Sequence, residues 1–222
     1  MLSRIDLAFL RAMRGPGLPL QDWDWGVLRG QNLSKIGHIF CSDADQRPGW
    51  VQYLGIELPH PLDLSGGSLL IPTQSPLNDG DIYGRIYQHQ LWLTLTKAKP
   101  DMDTVLMMHH LPCGAAKLAD IKLPVQMLLG KIAKERVLGW TRAIKSGVAV
   151  TGLVSVNYAL VEGSGELTLP KEMRTYHSCR AAMIDWYNSI GLRMARDLYG
   201  SQVGDECQRL LAALTAAKTV GI

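Results

Sequence analysis

The stretch Pro124–Gly147, PVQMLLGKIAKERVLGWTRAIKSG, separates basic from apolar residues when it is drawn as a helix. At about 100° per residue, the basic side chains fall on one arc and apolar side chains gather on the opposite arc. The basic arc holds Lys131, Lys134, Arg142 and Lys145, and the apolar arc holds Val125, Leu129, Ile132, Val137, Trp140 and Ile144. This pattern predicts an amphipathic helix whose apolar side packs on the rest of the domain.

On both sides of this helix, apolar runs between turns indicate β-strands. His89–Lys97 alternates leucine with other residues, which is the period of a half-buried strand. Thr104–Met108 is predicted as a further strand. Val148–Val161 is rich in β-branched residues and is predicted as a long strand or a bent pair of strands, with Glu166–Leu169 as a short returning strand. Together these segments predict a central, mainly antiparallel sheet.

Both ends of the chain are predicted to be helical. Ser3 and Asp6 have the spacing of a capping box at the start of a helix. Between Tyr176 and Leu198, apolar residues recur every three or four positions, and Gly200 is expected to end that helix. The predicted fold class is therefore α+β, with a mainly antiparallel sheet flanked by helices and a helical C-terminal region.

The composition is that of an ordinary globular protein, with 47% hydrophobic and 19% charged residues. We expect residues 1–170 to form an α+β core and residues 171–222 a helical segment packed on it, as one domain overall. Arg4 and Asp6 interrupt any apolar run at the amino terminus, which argues against a secretory signal. We expect a cytoplasmic protein without a membrane partner.

The positive charge of the chain lies in its second half. Residues 111–222 hold 14 Lys and Arg against 9 Asp and Glu, whereas the whole chain carries a net charge of only +3. A basic helix face can neutralise nucleic-acid phosphates. The first hypothesis is therefore a non-catalytic RNA- or DNA-binding protein, or a subunit of a larger nucleoprotein assembly. Its predicted phosphate contacts are Lys122, Lys131, Lys134, Arg142 and Lys145. The alternative is a structural or scaffold protein in which these lysines serve only solubility.

Three of the four cysteines follow a histidine closely, in His38–Cys41, His110–Cys113 and His177–Cys179. Imidazole and thiolate are both good zinc ligands, so two such pairs could complete a tetrahedral site. The preferred set is His38, Cys41, His110 and Cys113. Because buried cysteines without a ligand role are more common, no cofactor is expected, and a structural zinc at this set is the alternative.

Enzyme motifs are few. Phosphate-binding loops and dinucleotide fingerprints are absent from the sequence. Asp101, Asp103 and the Asp120–Lys122 triplet offer carboxylates for a hard metal ion, and the pair His109–His110 offers acid–base groups. A metal-dependent phosphodiester hydrolase that uses these residues is the first alternative to nucleic-acid binding, ahead of the scaffold protein, and we expect no catalytic activity.

Arg136 projects among the apolar residues of the Pro124–Gly147 segment. A buried guanidinium needs a carboxylate or several other acceptors, because an unpaired charge in the core costs several kcal/mol. Either Arg136 lines a functional pocket, or it has a structural role as an ion pair or as a side chain that extends to solvent at the edge of the core. We favour the structural role.

Overall fold

The central sheet is mixed. This computed structural model describes residues 2–28, 31–42, 62–158 and 173–217. The strands found in them are β1 (Leu20–Asp22), β2 (Ile36–Ile39), β3 (Thr104–Leu111), β4 (Ala149–Asn157) and β5 (Met173–Ser178). They form one sheet in the order β1-β5-β4-β3-β2.

Three of the α-helices found in the described residues lie in the connections between strands, and the others precede or follow the sheet strands. Helix α1 (Arg4–Ala12) precedes the sheet, α2 (Ile82–Leu93) lies between β2 and β3, and α3 (Gly114–Leu118) and α4 (Leu123–Ile144) lie between β3 and β4. The chain ends in α5 (Arg180–Trp186), α6 (Leu192–Tyr199) and α7 (Ser201–Ala216). The predicted α+β class with a helical C-terminal region is confirmed.

The strand directions follow from the connections. β2, β3 and β4 run parallel, because each is joined to the next by a long crossover that contains helices. β5 pairs antiparallel with β4 and β1 pairs antiparallel with β5. The sheet thus has two parallel and two antiparallel pairings, where the sequence suggested a mainly antiparallel sheet.

Two segments differ from their predicted secondary structure. His89–Lys97 belongs to α2 and to the wider π-helical turn Thr94–Ala98, because Tyr87, Leu91 and Leu95 share one buried helix face. The residues of β5 were expected to be helical, but their pairing with two neighbouring strands overrides the local pattern. The predicted strand Glu166–Leu169 lies outside the described residues.

The α4 helix is covered on more than one side. It packs on β3 and β4 through one face and on α7 through another, while the segment Gly67–Leu70 also lies against it. Leu128, Leu129, Ala133 and Val137 are completely buried. The helix is therefore enclosed along its first half instead of exposing one continuous polar face. No helix in the part of the chain that the structure describes has the length and apolar character of a membrane span.

Arg136 has the structural role that the sequence favours, as an ion pair. Its Nη1 and Nη2 donate to the two carboxylate oxygens of Asp81 at 2.7 and 2.6 Å, and Nη1 also donates to the Ile71 carbonyl at 2.6 Å. The guanidinium lies 4.9 Å from the Trp140 ring centre. This pair holds the start of α2 against α4, and the pKa of Asp81 is lowered chiefly by the hydrogen bonds from Arg136.

Substituting Arg136 with methionine should destabilise the fold by about 2 kcal/mol. The change removes a bidentate pair that is about three-quarters buried and leaves the Asp81 carboxylate without its main partner. Urea denaturation would measure the effect. Arg142→Met is the matched control, because Arg142 is an exposed arginine of the same helix and its loss should cost under about 0.5 kcal/mol. Equal effects of the two substitutions would contradict a structural role for the pair.

Candidate metal centre

The strands bring Cys41, His110 and Cys113 to one edge of the sheet. Cys41 comes two residues after β2, His110 is near the end of β3, and Cys113 caps the amino end of α3. Because β2 and β3 are parallel neighbours, their carboxyl ends meet at the same edge, where open α/β sheets commonly bind ligands. The pairing of β2 with β3 therefore brings Cys41 close to His110 and Cys113, which are themselves near each other in sequence.

The donor atoms of this group are close and buried. The Sγ atoms of both cysteines and a ring nitrogen of His110 lie within 4.8 Å of one another. Cys41, His110 and Cys113 are only 5%, 1% and 3% exposed. Such a cluster of two thiols and an imidazole has the chemistry of a zinc site.

Two glycines hold the main chain around Cys41. The amide of Gly66 donates to the Cys41 Sγ at 3.2 Å, which favours the thiolate form of the sulfur. Gly66 and Gly67 have φ angles of +96° and +48°, in the region that glycine alone adopts readily. A Cβ on Gly67 would lie 2.6 Å from the Cys41 nitrogen, so no side chain fits there. Leu64 also accepts a hydrogen bond from the Ser42 amide at 3.2 Å, which closes the turn.

The Cys41 thiol is protonated at neutral pH in the absence of a metal ion. Its pKa is raised from 9.0 to about 12, first by a hydrogen bond with Cys113 and then by burial. His110 and the Gly66 amide act in the opposite direction. A metal ion that binds here must therefore displace the thiol proton, and metal affinity should rise with pH.

His38, the fourth residue of the predicted set, does not join this group. It pairs in register with Leu106 on β3, four residues before His110, which corresponds to about 13 Å along the strand. Its Nε2 instead lies 3.3 Å from an Asp63 carboxylate oxygen, and its ring packs 4.6 Å from that of Phe40. The prediction grouped His38–Cys41 with His110–Cys113 because both pairs have the same spacing in sequence. The register between β2 and β3 nevertheless places His38 away from His110 along the sheet.

Two lysines of the predicted basic stripe have their ammonium groups bound to main-chain carbonyls. Lys131 is only 3% exposed and donates to the Ser178 carbonyl. Lys145 donates to the carbonyls of Pro100 and Met102, both at 2.7 Å. Lys131 is buried because α4 is packed on several sides, whereas Lys145, just after the helix, is partly exposed and held by the Pro100–Met102 segment.

The remaining predicted phosphate contacts are divided between paired and exposed groups. Lys134 lies 3.4 Å from the carboxylate of Glu135, and Lys122 is paired with Asp120. Arg142 is exposed. Nucleic-acid binding stays a prediction, and these residues do not form one continuous cationic face.

Apart from His110, the predicted acid–base and carboxylate groups do not belong to the Cys41–His110–Cys113 group. His109 faces α4, where its Nε2 lies 3.1 Å from the Gln126 Oε1, and burial lowers its pKa to about 3. Neighbouring residues of a strand point to opposite faces, so His109 and His110 do not act as a pair. Asp101 and Asp103 are exposed and belong to no group of three or more donors among the described residues.

The contributions of the Gly66–Gly67 pair and of Asp63 to the site were not predicted from the sequence. Adjacent glycines are a signal for a close backbone approach, and Gly67 makes such an approach to Cys41. Asp63 accepts from the Phe40 amide at 3.0 Å and so fixes the residue before Cys41.

Comparisons with protein-family models, curated proteins and solved structures found no match for this chain.

Proposed function

We propose that this chain binds one Zn²⁺ ion through Cys41, His110 and Cys113, with the fourth coordination position open to water or substrate. The observation that carries the proposal is the approach of the three donor atoms to within 4.8 Å of one another. Donors about 2.2 Å from a tetrahedral ion are about 3.6 Å apart, so the side chains need to close by only about 1 Å. Rotation of two cysteine side chains supplies a movement of this size.

The donor types favour zinc over the hard cations. Mg²⁺ and Ca²⁺ take oxygen ligands, whereas thiolates and imidazole suit Zn²⁺. This site therefore replaces the carboxylates Asp101 and Asp103 as the metal centre of the hydrolase hypothesis. The buried surroundings of the cluster also strengthen its interaction with a cation.

Two observations support a reactive rather than a purely structural ion. Structural zinc sites generally use four protein ligands, while this group contributes three from the described part of the chain. It also lies at the carboxyl edge of parallel strands. When bound, Zn²⁺ would lower the pKa of a coordinated water to about 7, which suits hydrolysis or hydration of a small substrate.

The purified protein should contain about one zinc per chain by native mass spectrometry. Cys113→Ala and His110→Ala should each lower zinc affinity at least a hundredfold, because each removes a direct ligand. Cys207→Ala is the matched control: Cys207 is an equally buried cysteine in α7, outside the donor group. Zinc content that stays substoichiometric after reconstitution, or that falls equally in the control, would overturn the proposal.

The open fourth coordination position of the metal ion can be tested separately from zinc binding. In the Co²⁺-loaded protein, adding azide should change the visible absorption spectrum, because an exchangeable position accepts the anion. Hydrolysis of p-nitrophenyl acetate should depend on the metal and disappear with Cys113→Ala. A tetrahedral cobalt spectrum that azide leaves unchanged, together with no metal-dependent hydrolysis, would assign the ion a structural role.

A further inference from the structure

A cavity of about 650 Å³ lies beside the turn that joins α1 to β1, away from the metal centre. Its size is within the range of small-molecule sites. The lining residues are Arg11, Arg14, Gly15, Pro16, Gly17, Leu20, Gln21 and Asp22. Two guanidinium groups against one carboxylate give this cavity a positive balance. We propose that it binds a small organic anion with two negative charges, such as a dicarboxylate or a phosphate monoester.

Arg14 is held in place by aromatic groups behind it. Its guanidinium carbon lies 4.6 Å from the Tyr176 ring centre, and its Nη1 lies 3.2 Å from the Tyr158 hydroxyl. The two tyrosine hydroxyls are themselves hydrogen-bonded at 2.9 Å. A guanidinium fixed in this way loses little side-chain entropy on binding an anion, and its planar donors suit a carboxylate or phosphate.

The charges of the cavity are only partly neutralised from within, by a long ion pair between Arg14 and Asp22. Arg14 Nη2 lies 3.8 Å from the Asp22 carboxylate, beyond hydrogen-bond distance, and that carboxylate is 77% exposed. Arg11 is exposed and its guanidinium makes no hydrogen bond or ion pair with the residues that the structure describes. A ligand anion could therefore displace Asp22 and engage both arginines.

The turn Gly15–Gly17, which follows Arg14, contributes main chain to the cavity. Gly15 and Gly17 adopt φ angles of +142° and +73°, and a Cβ on Gly17 would have no neighbour within 4 Å. Pro16 between them stiffens the loop. At Gly17 the cavity is therefore bordered by main chain with open space beside it.

Isothermal titration of the zinc-reconstituted protein with inorganic phosphate and, separately, with succinate tests the site and distinguishes the two anion classes. We expect saturable binding of at least one anion and none of succinamide, the neutral analogue of succinate. Arg11→Gln and Arg14→Gln should each weaken binding roughly tenfold, because each removes a charged hydrogen-bond donor. Asp22→Asn should strengthen binding, since it removes the competing negative charge.

Arg4→Gln is the matched control, because Arg4 is an exposed arginine of α1 outside the cavity. Arg11→Gln guards against a folding defect of Arg14→Gln, since Arg11 is exposed and its substitution should cost little stability. Binding that persists in Cys113→Ala would place the anion away from the metal. No heat with either anion at millimolar concentration, an equal loss in Arg4→Gln, or loss in Cys113→Ala would each overturn the proposal.

Discussion

Gly67→Ala should destabilise the protein by about 3 kcal/mol or more and weaken zinc binding at the same time. The φ angle of +48° alone costs a residue with a Cβ about 1 kcal/mol. The new Cβ would also lie 2.6 Å from the Cys41 nitrogen and 2.9 Å from its Cα. These are main-chain atoms that cannot rotate away, so Cys41 itself must move, at a further cost of about 2 kcal/mol.

Gly80→Ala separates the cost of the steric contact with Cys41 from the cost of the positive φ angle. Gly80 has a nearly identical φ angle of +52°, but a Cβ there would meet nothing within 4 Å. This substitution should cost only about 1 kcal/mol and leave the zinc affinity unchanged. Urea denaturation and competitive zinc titration of both variants measure the two effects. If Gly67→Ala behaved like Gly80→Ala in both assays, the close approach at Cys41 would not matter to the site.

Lys131→Met should stabilise the protein by about 2 kcal/mol near neutral pH. Burial, followed by the charge of Lys134, lowers the pKa of Lys131 from 10.5 to about 7. At pH 7 this shift corresponds to a folding cost of up to about 5 kcal/mol. Methionine removes that cost but leaves the Ser178 carbonyl without its donor, which offsets about 1–3 kcal/mol.

The direction in which the stability gain of Lys131→Met changes with pH distinguishes the removal of a buried charge from better packing. A lysine whose folded-state pKa is lowered costs stability most at and below pH 7, and the cost fades as pH approaches 10.5. The stability gap between Lys131→Met and the parent should therefore shrink as pH rises from 7 to 10. Lys117→Met, at an exposed lysine of α3, should show no such trend. A gap that stayed constant with pH would contradict the interpretation.

The elements that the sequence predicted well depend on local signals. The capping box at Ser3 is present, with the Asp6 amide donating to the Ser3 hydroxyl and the Asp6 carboxylate accepting from the Ser3 amide. Helix α4 extends over Leu123–Ile144, close to the predicted segment 124–147. Caps, helix-length periodicity and terminating glycines act within a few residues, so a single sequence reveals them.

The elements that were missed depend on tertiary partners. Leu91 and Leu95 fit either a strand or a helix, and only the burial of Tyr87 on the same face shows which. Helical projection identified which cations share an arc of α4, but it contains no information about what covers that arc. Lys131 therefore projects with its basic neighbours and is nevertheless buried.

The candidate site was likewise predicted only in part, because some of its features depend on tertiary partners. Cysteine and histidine spacing brought attention to Cys41, His110 and Cys113, and the structure gathers these three. The inclusion of His38 required knowledge of the register between β2 and β3, which sequence spacing does not contain. The role of Gly67 could be predicted only from the path of the main chain around Cys41.

The three donors also have a mechanical consequence. Cys41 and Cys113 are separated by 72 positions, so an ion shared between them would act as a cross-link that closes a long loop. Such a link restricts the unfolded chain far more than the folded one, in the manner of a disulfide. Binding of the ion would then connect the carboxyl ends of β2 and β3, and the ion would act as a reversible cross-link that closes the β2–β3 crossover.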